Sequence, residues 1–102
     1  ERENHGNNDG TIDRGIFQIN SKHFLGTDSD RYTEAEKKRW NNEFNRKKDK
    51  MRKAGIDVSS REAAWNDMKD IEKNVTMARI IWDELGWCGW YGAPEDLRKD
   101  CK

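Results

Sequence analysis

Asn8-Asp9-Gly10-Thr11-Ile12-Asp13-Arg14-Gly15-Ile16-Phe17-Gln18-Ile19-Asn20-Ser21 is the stretch around which the chain is organised. Asp9-Gly10 is a two-residue turn signal, because glycine reaches positive φ without a Cβ penalty. Beyond the turn, Ile12, Phe17 and Ile19 supply strand-forming bulk, with polar Asp13, Gln18 and Asn20 interleaved. Gly15 interrupts the run. A glycine inside a strand pattern marks a bulge or a close backbone approach by a ligand or another chain. Gln18 and Asn20, two residues apart, are expected on one face of a strand. The stretch reads as a short hairpin bearing an acid and two amides, with two more acids, Glu1 and Glu3, just ahead of it.

Outward from the hairpin the pattern turns helical. Residues 25–33 read as a loop. Thr33 with Glu36 forms a capping box, and the helix it opens is expected to run to about Ala54 and stop at Gly55. Trp40, Phe44 and Met51 make one apolar stripe along it. The run from Arg46 to Lys53 is densely basic; a solvated helix face accounts for it better than contact with an anionic glycan. Ser59 with Glu62 repeats the capping pattern and opens a second helix through about Lys69, burying Ala63, Ala64, Trp65 and Met68. Asp70 or Asn74 can cap a third helix at about 71–85. There Ile71, Val75, Ala78, Ile81, Trp82 and Leu85 form a stripe at helical spacing that predicts the centre of the core, and Gly86 ends it. Asn74-Val75-Thr76 matches a glycosylation sequon, a three-residue pattern common by chance. The aromatic run Trp87-Cys88-Gly89-Trp90-Tyr91-Gly92 has two readings, a satellite core cluster or the wall of a sugar-binding cleft. Residues 93–102 form a charged tail. The fold class is α+β, mainly helical, with one small hairpin.

Composition bounds the possibilities. The chain has 102 residues, enough for one domain, with 39% charged and 32% apolar residues, so its core is thin. Twenty basic and twenty acidic side chains cancel, which gives no electrostatic case for nucleic acid or an anionic membrane as main partner. No apolar run approaches the ~20 residues that cross a bilayer, and no signal peptide is visible. Cys88 and Cys101 could close a loop worth roughly 3 kcal/mol in an oxidising compartment, or remain thiols in a reducing one. His5 and His23 are isolated and no CxxC pair is present, so no metal site and no cofactor is expected. Nothing in the sequence sets an oligomeric state.

Two carboxyls near a polar strand fit glycosidic-bond cleavage. One protonates the leaving oxygen; the other stabilises or traps the oxocarbenium-like species. Glu1 or Glu3 could serve as the acid if buried beside an aromatic such as Trp87, since desolvation raises a carboxyl pKa. Asp13 fits the second role, and the amides of Gln18 and Asn20 suit sugar hydroxyls or N-acetyl groups.

The opening stretch resembles the β-hairpin signature of the lysozyme superfamily, D-G-(S/T)-x-D-x-G-(I/L)-(F/M)-Q-I-N, found in animal-type lysozymes and in bacterial and phage lytic transglycosylases of the soluble type. Asn74-Val75-Thr76-Met77-Ala78-Arg79-Ile80-Ile81, followed by Leu85-Gly86-Trp87-Cys88-Gly89-Trp90, is similar to the family's later helix, N-x-x-x-A-x-x-I, and its W-x-x-W turn. The resemblance implies cleavage of the β-1,4 bond between N-acetylmuramic acid and N-acetylglucosamine in peptidoglycan, by lytic transglycosylation or hydrolysis. It implies peptidoglycan glycan strands as partner and an extracellular, periplasmic or virion-associated setting. It places the catalytic acid at a Glu upstream of the hairpin, where Glu1 fits the spacing better than Glu3. Asp13 falls on the second carboxylate of animal-type lysozymes, and Gln18 and Asn20 fall on substrate-contacting positions. Trp87, near the acid, and Tyr91 are the aromatic substrate contacts, with Trp90 in the core.

The chain also departs from the family. Arg2 stands where a Ser usually follows the acid, and the helix leading into the acid is not in the sequence, so a longer parent is expected. The eight cysteines of animal lysozymes are missing, which points to the bacterial or phage branch. The segment at about 32–69 reads as a charged helical insertion within one lysozyme-like domain, 1–102. Two alternatives stand beside the enzyme. One is a lysozyme-like scaffold that binds glycan without cleaving it. The other is a calcium loop, since Asn7, Asp9, Thr11 and Asp13 alternate around Gly10. With Gly10 at its sixth position, however, that loop has His5 and Ile16 where its first and twelfth acids belong.

Overall fold

A computed structural model describes residues 2–90, and for Trp87 and Gly89 the backbone alone. The architecture over these residues is α+β and mainly helical: three very short strands and five α-helices. The strands are β1 (Glu3–Asn4), β2 (Asp13–Arg14) and β3 (Ile19–Asn20), antiparallel in the order β1-β2-β3. A hairpin forms here, but its turn is centred on Asn8-Asp9, one residue earlier than expected: Gly10, at φ 78°, closes it by donating its N–H to the Asn7 carbonyl. The segment ahead of that turn supplies a third strand that the sequence reading did not include.

The run from Ile12 to Asn20 does not stay extended. Residues 15–18 turn back, and Gln18 takes a positive φ of 49°. Gln18 and Asn20 therefore do not share a strand face, which corrects the alternation read from sequence. Gly15, in contrast, is the close approach its position implied. Its φ is +79°, and a Cβ there would lie 2.3 Å from Asn74 Nδ2 and 2.8 Å from the Met68 carbonyl. What approaches is the protein's own later helix.

The helices are α1 (Lys22–Leu25), α2 (Glu34–Asn41), α3 (Glu43–Lys53), α4 (Arg61–Asp67) and α5 (Ile71–Leu85), followed by a 3-10 turn at Gly86–Gly89. The Thr33/Glu36 capping box is formed. The single helix expected from there to about Ala54 is two, broken at Asn42 (φ −99°, ψ −4°). Tertiary contacts cause the break. The Asn41 carbonyl accepts from Arg61 Nη2, its side chain accepts from Thr27 N–H, and the Gly26 backbone presses against it so closely that a Cβ would sit 1.8 Å from Asn41 Oδ1. The cap of α4 is Ser60, whose hydroxyl accepts from Ala63 N–H, rather than Ser59. Of the two candidate caps for α5, Asp70 does the work, accepting from Lys73 N–H, and Gly86 (φ 61°) ends the helix.

The core is built from Ile19, Phe24, Phe44, Met51, Ile56, Ala64, Trp65, Met68, Met77, Ala78 and Ile81. On α5 the buried line runs through Asn74, Met77, Ala78 and Ile81. The expected stripe is thus rotated, leaving Ile71 and Val75 55% and 43% exposed. Trp40, expected on a core stripe with Phe44 and Met51, lies outside the buried cluster. Asn74 is fully buried: Nδ2 donates to the Arg14 and Met68 carbonyls at 3.0 and 2.9 Å, and Oδ1 accepts from Phe17 N–H at 3.0 Å. That rules it out as a glycan acceptor.

A charged network is also buried. Glu43 and Lys47 are each 1% exposed, with Lys47 Nζ 2.6 Å from Glu43 Oε2. Arg46 ties Glu43 to Glu84 of α5. Such a pair stabilises only while both partners are present, since desolvating a lone charge costs several kcal/mol. His23 of α1 lies fully buried with its Nδ1 unpartnered. Burial, reinforced by the Lys47 and Lys22 charges, holds its pKa well below the ordinary value.

Two stability measurements check this arrangement. Gly10→Ala and Gly15→Ala share the left-handed strain of about 1–2 kcal/mol, but only Gly15 also meets Asn74, which adds roughly 1–3 kcal/mol of overpacking. Urea unfolding should place Gly15→Ala well below Gly10→Ala; equal midpoints would refute the close approach. The second measurement is pH. An unfolded His protonates near pH 6.5 while native His23 stays neutral, so stability falls as pH drops below about 6.5, at up to ~1.4 kcal/mol per unit. Below about pH 4.5 Glu84 adds a second loss, because the Arg46 hydrogen bond keeps its native pKa at about 2. His23→Phe should flatten the upper segment alone.

Candidate functional site

Register creates the site. Asn4 pairs with Asp13 across β1–β2, and Asp13 pairs with Asn20 across β2–β3. Directly opposed residues point to the same side of a sheet, so the three form one row, amide–carboxylate–amide. The contacts follow. Asp13 Oδ2 accepts from Asn4 Nδ2 at 3.2 Å and Asn7 Nδ2 at 3.1 Å, and Oδ1 accepts from Asn20 Nδ2 at 2.9 Å. Asn20 is itself locked, donating also to Thr11 Oγ1 and accepting from Lys22 N–H. Three side-chain amides thus aim one half-exposed carboxylate.

The neighbouring pairs, Glu3 with Arg14 and Arg14 with Ile19, occupy the other face. There Arg14 lies 4.1 Å from the Trp65 ring centroid, donates to the Trp65 carbonyl at 3.0 Å and ion-pairs with Glu3. Hydrogen bonds from His5 and Arg14 hold the Glu3 carboxyl below its usual pKa. Glu3 and Asp13 therefore face opposite ways, and Glu3 is kept charged.

Beside the row, the Asp9 carboxylate takes Thr11 N–H and hydroxyl on one oxygen and the Tyr32 hydroxyl, at 2.6 Å, on the other. Burial works against the Asp9 charge, but the Thr11 and Tyr32 hydrogen bonds prevail and its pKa is lowered. Both Asp9 oxygens are thus engaged by protein donors. Among the described residues no group of three or more His, Cys, Asp or Glu side chains could hold a metal. Lys22 follows β3, largely buried; burial lowers its pKa, opposed by the Asp9 and Asp13 charges. Its Nζ lies 4.8 Å from the Trp40 ring centroid.

Of the residues singled out from sequence, the structure brings Asp13 and Asn20 together. Gln18 goes elsewhere. Its amide donates to the Gly15 carbonyl at 2.9 Å and weakly to the Arg2 carbonyl, bracing the turn instead of facing the row. Glu1, Tyr91 and Cys101 lie outside the described residues, as does the Trp87 side chain. Trp90 packs against the core and donates its indole N–H to the Phe17 carbonyl at 2.9 Å. Cys88 is disulfide-bonded. Asn4 was not singled out from sequence, and Asn7 only as a member of the calcium-loop alternation. Folding the chain about its two turns, at 8–9 and 16–17, would have aligned Asn4, Asp13 and Asn20. A surface depression of about 370 Å³ between α3 and α5, lined by Lys50, Lys53, Ala54, Ile80 and Asp83, shares no residue with this cluster. Comparison of the chain with protein-family models, with curated proteins and with solved structures finds no match.

Tyr32→Phe tests how far the loop after α1 steadies the site. Losing a hydrogen bond to a charged acceptor costs roughly 1.5–3 kcal/mol. The expected result is a lower melting temperature with faster amide exchange at residues 8–13; an unchanged melt would show the contact to be idle.

Proposed function

We propose that this chain is a lysozyme-like domain acting on peptidoglycan, cleaving the β-1,4 bond between N-acetylmuramic acid and N-acetylglucosamine by lytic transglycosylation or hydrolysis. One observation carries the reading: the Asp13 carboxylate, oriented by Asn4, Asn7 and Asn20 on one face of the sheet, within the stretch that resembles the lysozyme-superfamily hairpin. A fixed, hydrogen-bonded carboxylate on a polar face is suited to stabilising positive charge that develops at an anomeric carbon.

The proton donor in this reading is Glu1. Glu3 is unsuited to donate, because it lies on the reverse face and its ion pair with Arg14 and hydrogen bond to His5 keep it ionised. In hydrolysis, Asp13 would assist as stabiliser or nucleophile while water completes the reaction. In transglycosylation, the 6-hydroxyl of the muramic acid attacks the anomeric carbon and leaves an anhydro end, with no second carboxylate required. Asn20 acts in either case through Asp13, since its amide hydrogens are already committed to Thr11 and Asp13. The partner is the glycan strand, which implies a setting outside the cytoplasm or on a virion.

Incubation with purified cell wall and mass analysis of the products tests the proposal. A 1,6-anhydromuramyl end marks transglycosylation and a reducing end marks hydrolysis. Glu1→Gln should lower the rate by about 10²–10⁴-fold, the usual worth of a general acid, while Glu3→Gln keeps most of it. The reverse pattern would overturn the assignment. No product, with binding to insoluble wall retained, would leave a glycan-binding module in place of an enzyme.

A further inference from the structure

The helix α2 lies in the charged segment that the family resemblance does not cover, and it carries a tryptophan the core does not use. Phe44 and Met51 are buried, whereas Trp40 is half-exposed and outside the buried cluster. Its neighbours are polar or cationic. Lys22 Nζ lies 4.8 Å and Arg39 Cζ 5.7 Å from the ring centroid, and buried His23 meets the ring at 5.1 Å with the planes at 88°. These contacts restrict the ring and fix it in place before any ligand arrives.

Lys22 connects this ring to the acid row. Its backbone N–H donates to Asn20 Oδ1 at 3.0 Å, and its ammonium is attracted by both Asp9 and Asp13. A half-exposed indole thus stands one side chain away from an oriented carboxylate, and the two are held on different elements. A flat apolar ring beside convergent polar groups suits a pyranose: its C–H face packs on the ring while its hydroxyls and acetamido group reach the polar side.

We propose that Trp40 is a stacking platform for an N-acetylhexosamine ring of the bound glycan, so that α2 contributes to the glycan site beside the Asn4–Asp13–Asn20 row. This rests on the glycan-directed reading of that row. Fixing the ring through His23, Lys22 and Arg39 limits the ordering cost on binding.

Calorimetry of the full chain with a β-1,4-linked N-acetylglucosamine hexamer tests it, using two substitutions that differ in shape. Trp40→Tyr keeps a flat face and should bind within about threefold of wild type. Trp40→Leu keeps apolar bulk without the face and should weaken binding by about tenfold, the loss of ~1.4 kcal/mol. Because Trp40→Leu also removes the ring's contacts with His23, Lys22 and Arg39, melting curves are recorded for both variants and affinities are compared at a temperature where each is fully folded. With cell wall as substrate, the Leu variant should raise KM more than it lowers kcat. If Leu and Tyr variants bind like wild type, the platform is overturned and the reading of the Asp13 row stands. If the wild-type chain binds neither hexamer nor insoluble wall, both fall together.

Discussion

The three hydrogen bonds of Asn74 are the constraint on which the rest depends. One buried amide satisfies the Arg14 carbonyl at the end of β2, the Phe17 N–H in the turn and the Met68 carbonyl at the α4–α5 corner. The bonds to the two carbonyls are buried and the one to the Phe17 N–H is partly buried. The amide reaches them because position 15 has no side chain, and a Cβ there would fall on the amide itself. Helix α5 thus fixes the height and direction of β2, and with it Asp13. Two stretches far apart in sequence, the hairpin and α5, meet at this contact.

The sheet then divides its labour by face. Two-residue strands have almost no independent stability, and a lone hairpin is marginal in water. These strands persist because the Glu3–Arg14–Ile19 row is anchored: Arg14 stacks on Trp65 and bonds to its carbonyl, while Ile19 enters the core. The opposite row, Asn4–Asp13–Asn20, is left to bond within itself and to face outward. A one-residue slip would exchange the rows, placing a carboxylate against Trp65 and an arginine on the outer face. Core packing and site chemistry therefore enforce the same register.

Much of this was legible in the sequence where the cause is local. Asp70 and Gly86 bound α5 because a cap and a left-handed glycine act within one turn. The Thr33/Glu36 box formed for the same reason, while the first turn settled one residue ahead of Asp9-Gly10, with Gly10 closing it. The failures share another cause. The break at Asn42 carries no glycine or proline; it comes from Arg61 and from the 26–27 backbone, distant in sequence. Gln18 looked like a strand residue because its neighbours are β-formers, yet the tie from Phe17 to Asn74 folds the segment over. Ile71 and Val75 sit on the helical stripe, but polar Asn74 takes the buried position because the backbone groups facing it need an amide more than the core needs two aliphatics.

The site followed the same division. Asp13 and Asn20 were singled out from the polar alternation after the first turn, and their partnership is a consequence of antiparallel pairing. By spacing Glu1 fits the place of the acid better than Glu3, but spacing alone says nothing of which face either side chain takes. Sidedness, which exists only once β1 joins the sheet, decides the place of Glu3. In register with Arg14, Glu3 turns to the anchored face and becomes part of the support. A carboxylate that braces the sheet must stay ionised to hold Arg14, whereas a general acid must carry a proton. The two demands are incompatible in one side chain. The pairing that makes β1 a strand therefore commits Glu3 to the anchored face and leaves Asp13 on the outer one.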